Sequence, residues 1–252
     1  MRVIAIANQK GGVGKTTTCV NLAAALAKRE KNVLVVDLDP QCNATTALLG
    51  LKDHEATLLH VFEGEKTLDE VILPTEIPRL ACVPGDPNLA GADLRYANTF
   101  GRESLLRNAL ADLSHPCDIV VCDVPPALGL LSINALVACT DVLIPVSMSF
   151  FALTGLLQLE ETIELVRERM ERQDLRIGGV LCTMVETRVT VSRDIMQKLR
   201  EAYGDLVFKT VIPKNVTLEA AHSTGKPAVV IAPNSPGAQA YEALAEEVLA
   251  RG

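Results

Sequence analysis

The eight residues Lys10–Thr17, KGGVGKTT, constrain the fold of this chain more than any other segment. They follow an apolar, strand-like run, Val3–Ala7, and open a helical pattern, Thr16–Arg29. Glycines in such a turn let backbone N–H groups approach phosphate oxygens with no Cβ in the way, and the helix N-terminus behind them adds partial positive charge. A lysine at position 15 can reach the β- and γ-phosphates of a nucleotide, and the Thr16 hydroxyl can ligate Mg²⁺. An ordinary glycine-rich turn is the plain alternative. The joint occurrence of strand, loop, Gly-Lys-Thr and helix argues against it.

The rest of the chain repeats this alternation. Strands are expected at Val3–Ala7, Val33–Val36, Leu80–Pro84, Ile119–Cys122, Val142–Val146, Gly179–Thr183 and Val207–Ile212. Most are continuous apolar runs, as in strands buried on both faces. Helices are expected at Thr16–Arg29, Arg102–Leu113, Leu153–Arg172, Val191–Tyr203 and Ala238–Leu249, the last with Ser235 as cap and Pro236 in its first turn. The pattern predicts an α/β, doubly wound, mostly parallel sheet with helices on both faces. Residues 1–252 read as a single domain, because the Pro/Gly-rich stretch Pro74–Gly91 looks like loops around one strand. Aromatics are 3% of the chain, so the core must be aliphatic.

Other features exclude function classes. No apolar run reaches the ~18–20 residues that span a bilayer, and the start of the chain has no signal-peptide pattern. The seven cysteines are scattered and contain no Cys-x-x-Cys pair, which argues against zinc or a disulfide framework and for a reducing cytoplasm. A net charge of −7 argues against a protein coated in basic surface but leaves room for a local basic patch.

Two more segments carry carboxylates to strand ends, where open α/β sheets bind ligands. Val33–Gln41 (VLVVDLDPQ) delivers Asp37 and Asp39, and Asp118–Pro126 (DIVVCDVPP) delivers Asp123. A pair of turn-initiating aspartates before Pro40 is the alternative for the first.

Across NQKGGVGKTTTCVNLA, VLVVDLDPQ, DIVVCDVPP, LGLLSINAL, IPKNV and the C-terminal SPGAQAYEALAEEVL, the chain resembles the ParA/Soj family of deviant-Walker P-loop ATPases. The resemblance implies binding of ATP and Mg²⁺ through Lys10, Gly11, Gly12, Val13, Gly14, Lys15, Thr16 and Thr17. It implies that Lys10 reaches the nucleotide of a partner subunit; a solvated loop lysine is the simpler reading of Lys10 alone. Asp39 would position the attacking water and approach Mg²⁺, Asp37 would hold a P-loop lysine or a metal-bound water, and Asp123 would touch Mg²⁺ through water. Pro213 and Asn215 would flank adenine, with Met184 near the base or packed in its loop. The family forms ATP-dependent homodimers, binds DNA non-specifically at the nucleoid and answers to a ParB-like or cargo-adaptor protein. Arg188, Arg193, Lys198, Arg200, Lys209 and Lys214 are the DNA-binding candidates; a solvated helix face balanced by Glu186, Asp194 and Glu201 is the alternative. His115 and His222 read as surface or loop residues.

The sequence departs from the family pattern at Cys42, where glycine is usual, at Val124 and Ala127 around the Pro-Pro pair, and at Thr217 and Ala220, unless Glu219 substitutes for the glutamate missing at Ala220. Two other functions compete. A MinD-like regulatory ATPase at a membrane or protein surface would carry a basic amphipathic C-terminal helix, whereas this sequence closes on ALAEEVLARG. A nitrogenase-iron-protein-like carrier would bridge a cluster with cysteines, but Cys122 and Cys139 read as core residues.

Overall fold

The computed structural model describes residues 1–149, 152–186 and 188–252, without the side chains of residues 152–154, 219 and 222–224. Glu219 and His222 therefore lie outside the described side chains, as Thr187 lies outside the described residues.

The strands are β1 (Arg2–Ile6), β2 (Val33–Asp37), β3 (Leu73–Pro74), β4 (Leu80–Val83), β5 (Ile119–Asp123), β6 (Asp141–Ser147) and β7 (Arg176–Thr183). They form one sheet in the order β3-β4-β2-β5-β1-β6-β7. All neighbours are parallel except the short β3, which runs antiparallel to β4 at the edge. The helices are α1 (Lys15–Lys28), α2 (Asn43–Leu49), α3 (Leu58–Phe62), α4 (Leu68–Val71), α5 (Ala92–Arg95), α6 (Leu105–Ala111), α7 (Leu130–Ala138), α8 (Ala152–Arg169), α9 (Thr190–Tyr203), α10 (Val216–Thr224), α11 (Ala228–Ile231) and α12 (Pro236–Ala250).

The continuous apolar strands are shared between two cores. Val3 and Ala5 of β1, Leu34 and Val36 of β2, and Val120 and Cys122 of β5 join α3, α6, α7 and α8 on one face. Their neighbours Ile4, Ile6, Val33, Val35, Ile119 and Val121 join α1, α2 and α12 on the other. Side chains alternate across a strand, so an unbroken apolar run is what a sheet covered on both sides requires. Ser235 caps α12 as expected, its hydroxyl accepting from the Ala238 N–H at 3.2 Å.

Crossovers diverge at β1 and β5. Helix α1 leads from β1 past β5 to β2 over one face, whereas α7 leads from β5 past β1 to β6 over the other. The crevice at the C-terminal ends of these strands is where such sheets bind ligands.

Two expectations change. Val207–Ile212 is not a strand. It meets the β7 edge only at isolated rungs, Phe208 N–H to Val180 O at 2.9 Å and Ile212 N–H to Cys182 O at 2.8 Å. Between them the N–H groups of Lys209 and Thr210 turn to the Glu247 carboxylate of α12, at 2.8 and 3.0 Å, which draws the backbone out of the ladder. The helix expected over Arg102–Leu113 starts as a 3₁₀ turn, Arg102–Ser104, and continues as α6.

Candidate functional site

The β1–α1 loop needs its glycines for backbone shape and for open space. Gly12 and Gly14 have φ of +72° and +87°, in the left-handed region that strains other residues. A Cβ on Gly11, Gly12 or Gly14 would meet nothing within 4 Å. No packing contact within the chain therefore demands their small size, and the free volume faces the crevice. Gly14 is also the N-cap of α1, with no side-chain cap and no acidic residue in the first turn. The partial positive charge of the helix end is left for a ligand to neutralise.

Lys15 is buried, and its ammonium donates to the Lys10 carbonyl at 3.2 Å. Burial pulls its pKa down, while Asp123 and Asp39 hold it up. Lys10 is half-buried. Its ammonium donates to Ser149 Oγ at 2.5 Å, and its N–H to Asn8 Oδ1 at 2.9 Å. Asn8 is itself buried and donates to the Pro145 carbonyl at 2.7 Å. Lys10 is thus neither a solvated loop lysine nor a wall of the crevice in a single chain; it is pinned to the end of β6. Val13 is buried too, its carbonyl accepting from the Thr183 hydroxyl at 2.9 Å.

The three carboxylates have different surroundings. Asp37 and Asp123 are partners in the β2–β5 register. Asp37 is fully buried. One oxygen accepts from the Thr45 N–H (2.8 Å) and hydroxyl (2.7 Å), the other from the Asp39 N–H (3.1 Å). Burial raises its pKa to about 6 against the pull of these donors. Its bonds go to the N-terminus of α2 and to the Asp39 peptide, and a P-loop lysine, one of the two partners expected for it, does not bond it among the described residues. Asp39 stands at the crevice wall, one oxygen accepting from the Gln41 N–H at 3.0 Å. Asp123 is fully buried, and neither oxygen has a hydrogen-bond partner among the described residues, the Thr16 hydroxyl lying beside it without meeting hydrogen-bond geometry. Burial first, then Asp37 and Asp39, push its carboxyl well above the usual range, with Thr16 and Lys15 drawing it back.

The crevice itself encloses about 430 Å³. Gly11, Gly12, Gly14, Lys15, Thr16, Thr17 and Asp39 line it together with Met184, Pro213 and Asn215, so residues nearly the whole length of the chain apart share one cavity. Met184 has φ +52° and is exposed. Asn215 Oδ1 accepts from the Thr217 N–H at 2.9 Å, turning the chain into α10. Sequence reasoning missed Asn43, Leu218 and Tyr241 on the walls. Asn43 was readable from its position just past Asp39. Tyr241 was not, because it arrives from α12, with its hydroxyl 3.1 Å from Thr18 Oγ1.

The basic residues divide. Arg188, Arg193, Lys198 and Arg200 are all exposed on or just before α9. Ser192, Ile195, Met196, Leu199 and Tyr203 form its inward stripe. Arg193 and Arg200 border one shallow groove with Gln197 and Glu201. Lys198 falls a turn from Asp194 and from Glu201, in reach of both acids by helical spacing. Lys214 stands apart at the crevice, paired with Glu186 at 3.2 Å, and Lys209 is exposed beside α12. Cys122 and Cys139 are fully buried, as core residues. His115 is an exposed loop residue.

A family model described as an AAA domain matches residues 1–177. The chromosome partitioning protein ParA of Myxococcus xanthus is 41% identical over 252 residues, covering 99% of this chain and 88% of its own. The chromosome-partitioning ATPase Soj of Thermus thermophilus is 45% identical over 251 residues, covering 100% and 96%. Among solved structures, cobyrinic acid a,c-diamide synthase from Mycobacterium smegmatis with bound ADP and magnesium superposes with a TM-score of 0.85 at 34% identity, covering 98% of this chain and 94% of that one.

Proposed function

Since the chain belongs to the ParA/Soj family of P-loop partitioning ATPases, we propose that it hydrolyses Mg-ATP slowly until a partner stimulates it, closes as a homodimer over the nucleotide, and binds DNA without regard to sequence. Its task is to partition or position a chromosome, a plasmid or a protein cargo, in a nucleoid-associated cytoplasmic state, in response to a ParB-like or cargo-adaptor protein. Residues 1–252 act as one P-loop domain.

The observation that carries this reading is one crevice lined by the glycine loop, Lys15 and Asp39 together with Met184, Pro213 and Asn215. Its volume suits a nucleotide-sized ligand. The loop N–H groups and Lys15 hold phosphate oxygens, and Pro213, Asn215 and Met184 take the base. Asp39 orients a water against the terminal phosphate. The donor set also fits Mg²⁺. Asp123 has two unpartnered oxygens, and Thr16 supplies a hydroxyl beside it. Among the described residues no group of three His, Cys, Asp or Glu could hold a metal alone. Magnesium commonly combines one or two carboxylates with water and substrate phosphates, so the site needs the nucleotide to be complete. When bound, the ion would withdraw charge from the phosphate oxygens.

Lys10 would exchange its Ser149 contact for the partner subunit's nucleotide on dimerisation. Each subunit would then add its own Arg188, Arg193, Lys198 and Arg200 to a shared DNA surface, with Lys214 contributing once freed from Glu186. Dimerisation doubles the phosphate contacts, which gives ATP a physical means of switching DNA binding. A lipid-surface role has less support. Helix α12 spends its apolar residues Ala238, Tyr241, Leu244, Ala245 and Val248 inside the domain rather than on its surface. One solved relative bears the name of a diamide synthase, so the phosphate site alone does not select the downstream task.

Fluorescence anisotropy with random duplex DNA, with and without ATP and at two salt concentrations, tests the proposal. Binding should require ATP and weaken steeply with salt, by a slope of about −0.9 per phosphate contact. Absence of ATP-dependent binding at low salt would refute the DNA-surface function.

A further inference from the structure

We infer that Thr45 is a positioning residue for ATP hydrolysis, acting through Asp37 on the backbone of Asp39. The inference rests on the role proposed for Asp39 above.

Three segments meet behind Asp39. The Thr45 hydroxyl accepts from the Gly85 N–H at 2.9 Å and donates to Asp37 Oδ2 at 2.7 Å. The Thr45 N–H donates to the same oxygen at 2.8 Å. The other oxygen of Asp37 accepts from the Asp39 N–H at 3.1 Å. A continuous relay of hydrogen bonds therefore runs from the segment after β4, through α2, to the peptide that carries the crevice carboxylate. Asp37 and Asp123 are completely buried and Thr45 is 4% exposed, so water does not compete for these bonds.

Packing holds the relay in register. A Cβ on Gly85 would stand 3.1 Å from Asp37 Cγ and 3.3 Å from Cys42 Sγ, so the glycine is what lets the segment after β4 come close enough to bond Thr45. Helix α2 has Cys42 as N-cap with no side-chain cap bond. Asp37 takes over that duty from the adjoining strand by accepting the Thr45 N–H in the first turn of α2, where a carboxylate is favoured. The carboxylate thus has two jobs at once: one oxygen anchors α2, and the other fixes the Asp39 peptide.

Loss of the Thr45 hydroxyl leaves Asp37 Oδ2 with one donor in place of two and Gly85 N–H without its acceptor. Asp37 is then held by two backbone N–H groups alone, one on each oxygen, and its grip on the Asp39 peptide loosens. Neither Thr45 nor Asp37 lines the crevice, so the nucleotide-binding walls are untouched. A displacement of about 1 Å in a catalytic group can lower a rate by about a hundredfold. The signature is a fall in turnover with affinity preserved, the mark of an interaction realised in the transition state.

The experiment compares Thr45→Val, which keeps the shape and removes the hydroxyl, with Thr45→Ser, which keeps the hydroxyl. Single-turnover ATP hydrolysis is measured beside calorimetric affinity for a non-hydrolysable ATP analogue. Thr45→Val should lose at least about tenfold in rate while its affinity stays within about twofold, and Thr45→Ser should recover most of the rate. If Thr45→Val does not fold, Thr45→Ala removes the same hydroxyl with less bulk. A wild-type rate in the hydroxyl-free variant, or equal loss of rate and affinity with no rescue by serine, overturns the inference. Asp39→Ala in the same assay separates the two readings. If it is inactive while Thr45→Val is normal, only the Thr45 inference fails. If Asp39→Ala hydrolyses normally, the role of Asp39 fails and takes the inference with it.

Discussion

Replacing Asp123 by asparagine should make the nucleotide-free protein more stable and less responsive to magnesium. Asp123 is fully buried, and neither of its oxygens has a hydrogen-bond partner among the described residues. Burial, Asp37 and Asp39 all oppose its charge. A buried polar group without a partner costs about 1–3 kcal/mol. Asparagine keeps the shape and two unmet polar atoms, so that cost remains; what it removes is the free energy of holding a carboxyl above its ordinary pKa, about 1.4 kcal/mol for each pH unit, so a gain of about 1 kcal/mol or more is expected. For a chain of this length each kcal/mol moves Tm by roughly 2–4 °C. In EDTA, Asp123→Asn should therefore melt about 2–4 °C or more above wild type. Adding Mg²⁺ and an ATP analogue should reverse the order. A ligand at about a hundred times its Kd stabilises by about 2.7 kcal/mol, and most of that increment should vanish in the variant. The pH dependence has a definite sign. The raised pKa of Asp123 means that the folded state keeps a proton the unfolded state has lost, so wild-type stability falls as pH rises above the ordinary value of 3.8 toward the raised folded pKa. Asp37, raised to about 6, adds to that slope, and Asp123→Asn should flatten it. Thermal unfolding by circular dichroism, in EDTA and in Mg-nucleotide across pH, measures all three effects. A lower Tm in EDTA, or an unchanged magnesium-dependent increment, would refute the reasoning.

Lys15→Ala should reduce ATP affinity by at least about a hundredfold in calorimetry, because the phosphate charge loses its main counter-charge; unchanged affinity would remove Lys15 from the phosphate site. Lys10→Ala should bind ATP as a monomer yet form no ATP-dependent dimer by light scattering with a slowly hydrolysed analogue, and a normal dimer would leave Lys10 with only its Ser149 contact. Arg188→Glu should weaken DNA binding and reduce the salt slope by about 0.9 for each phosphate the side chain no longer neutralises, with ATP turnover in the absence of DNA unchanged; equal DNA affinity would exclude Arg188 from the surface.

The phosphate end of the site was legible because its chemistry is local. Glycines, lysine and threonine stand side by side in KGGVGKTT, and the sheet direction alone brings Asp39 and Asp123 to the same edge. The two-sided parallel sheet followed from unbroken apolar runs whose alternate residues feed two cores. The partners of the polar side chains were not legible. Lys10 meets Ser149, Thr18 meets Tyr241, and the backbone of Lys209 meets Glu247. Each pair is far apart in sequence, and hydrogen-bonding capacity does not state its recipient. Val207–Ile212 shows the consequence: its β-rich composition is correct for an edge strand, yet one carboxylate on α12 claims two of its N–H groups. The charge run of α9 has the same ambiguity in miniature. Helical spacing separates Arg193 and Arg200, which share a groove, from Lys198, which lies between acids, and the order of basic residues along the chain conceals that division.

Cys42 ties a departure in sequence to the relay behind Asp39. The family resemblance marks the position as one where glycine is usual, and the backbone supplies the reason: φ is +52° and ψ 33°, left-handed geometry that costs a side chain about 1–2 kcal/mol. The conformation persists because the turn around it is over-determined. The Cys42 N–H donates to the Asp39 carbonyl at 2.8 Å, the Gln41 N–H to Asp39 Oδ1 at 3.0 Å, and Asp37 anchors both Asp39 and the start of α2. The thiol is no reactive group here, since burial and then Asp37, Asp86 and Asp39 push its pKa up to about 12. A strained residue at a functional turn survives only where its surroundings hold it. The Asp37–Thr45 relay is the part of those surroundings that reaches Asp39, so the departure from glycine makes the relay more necessary in this chain than in one where the turn is free of strain.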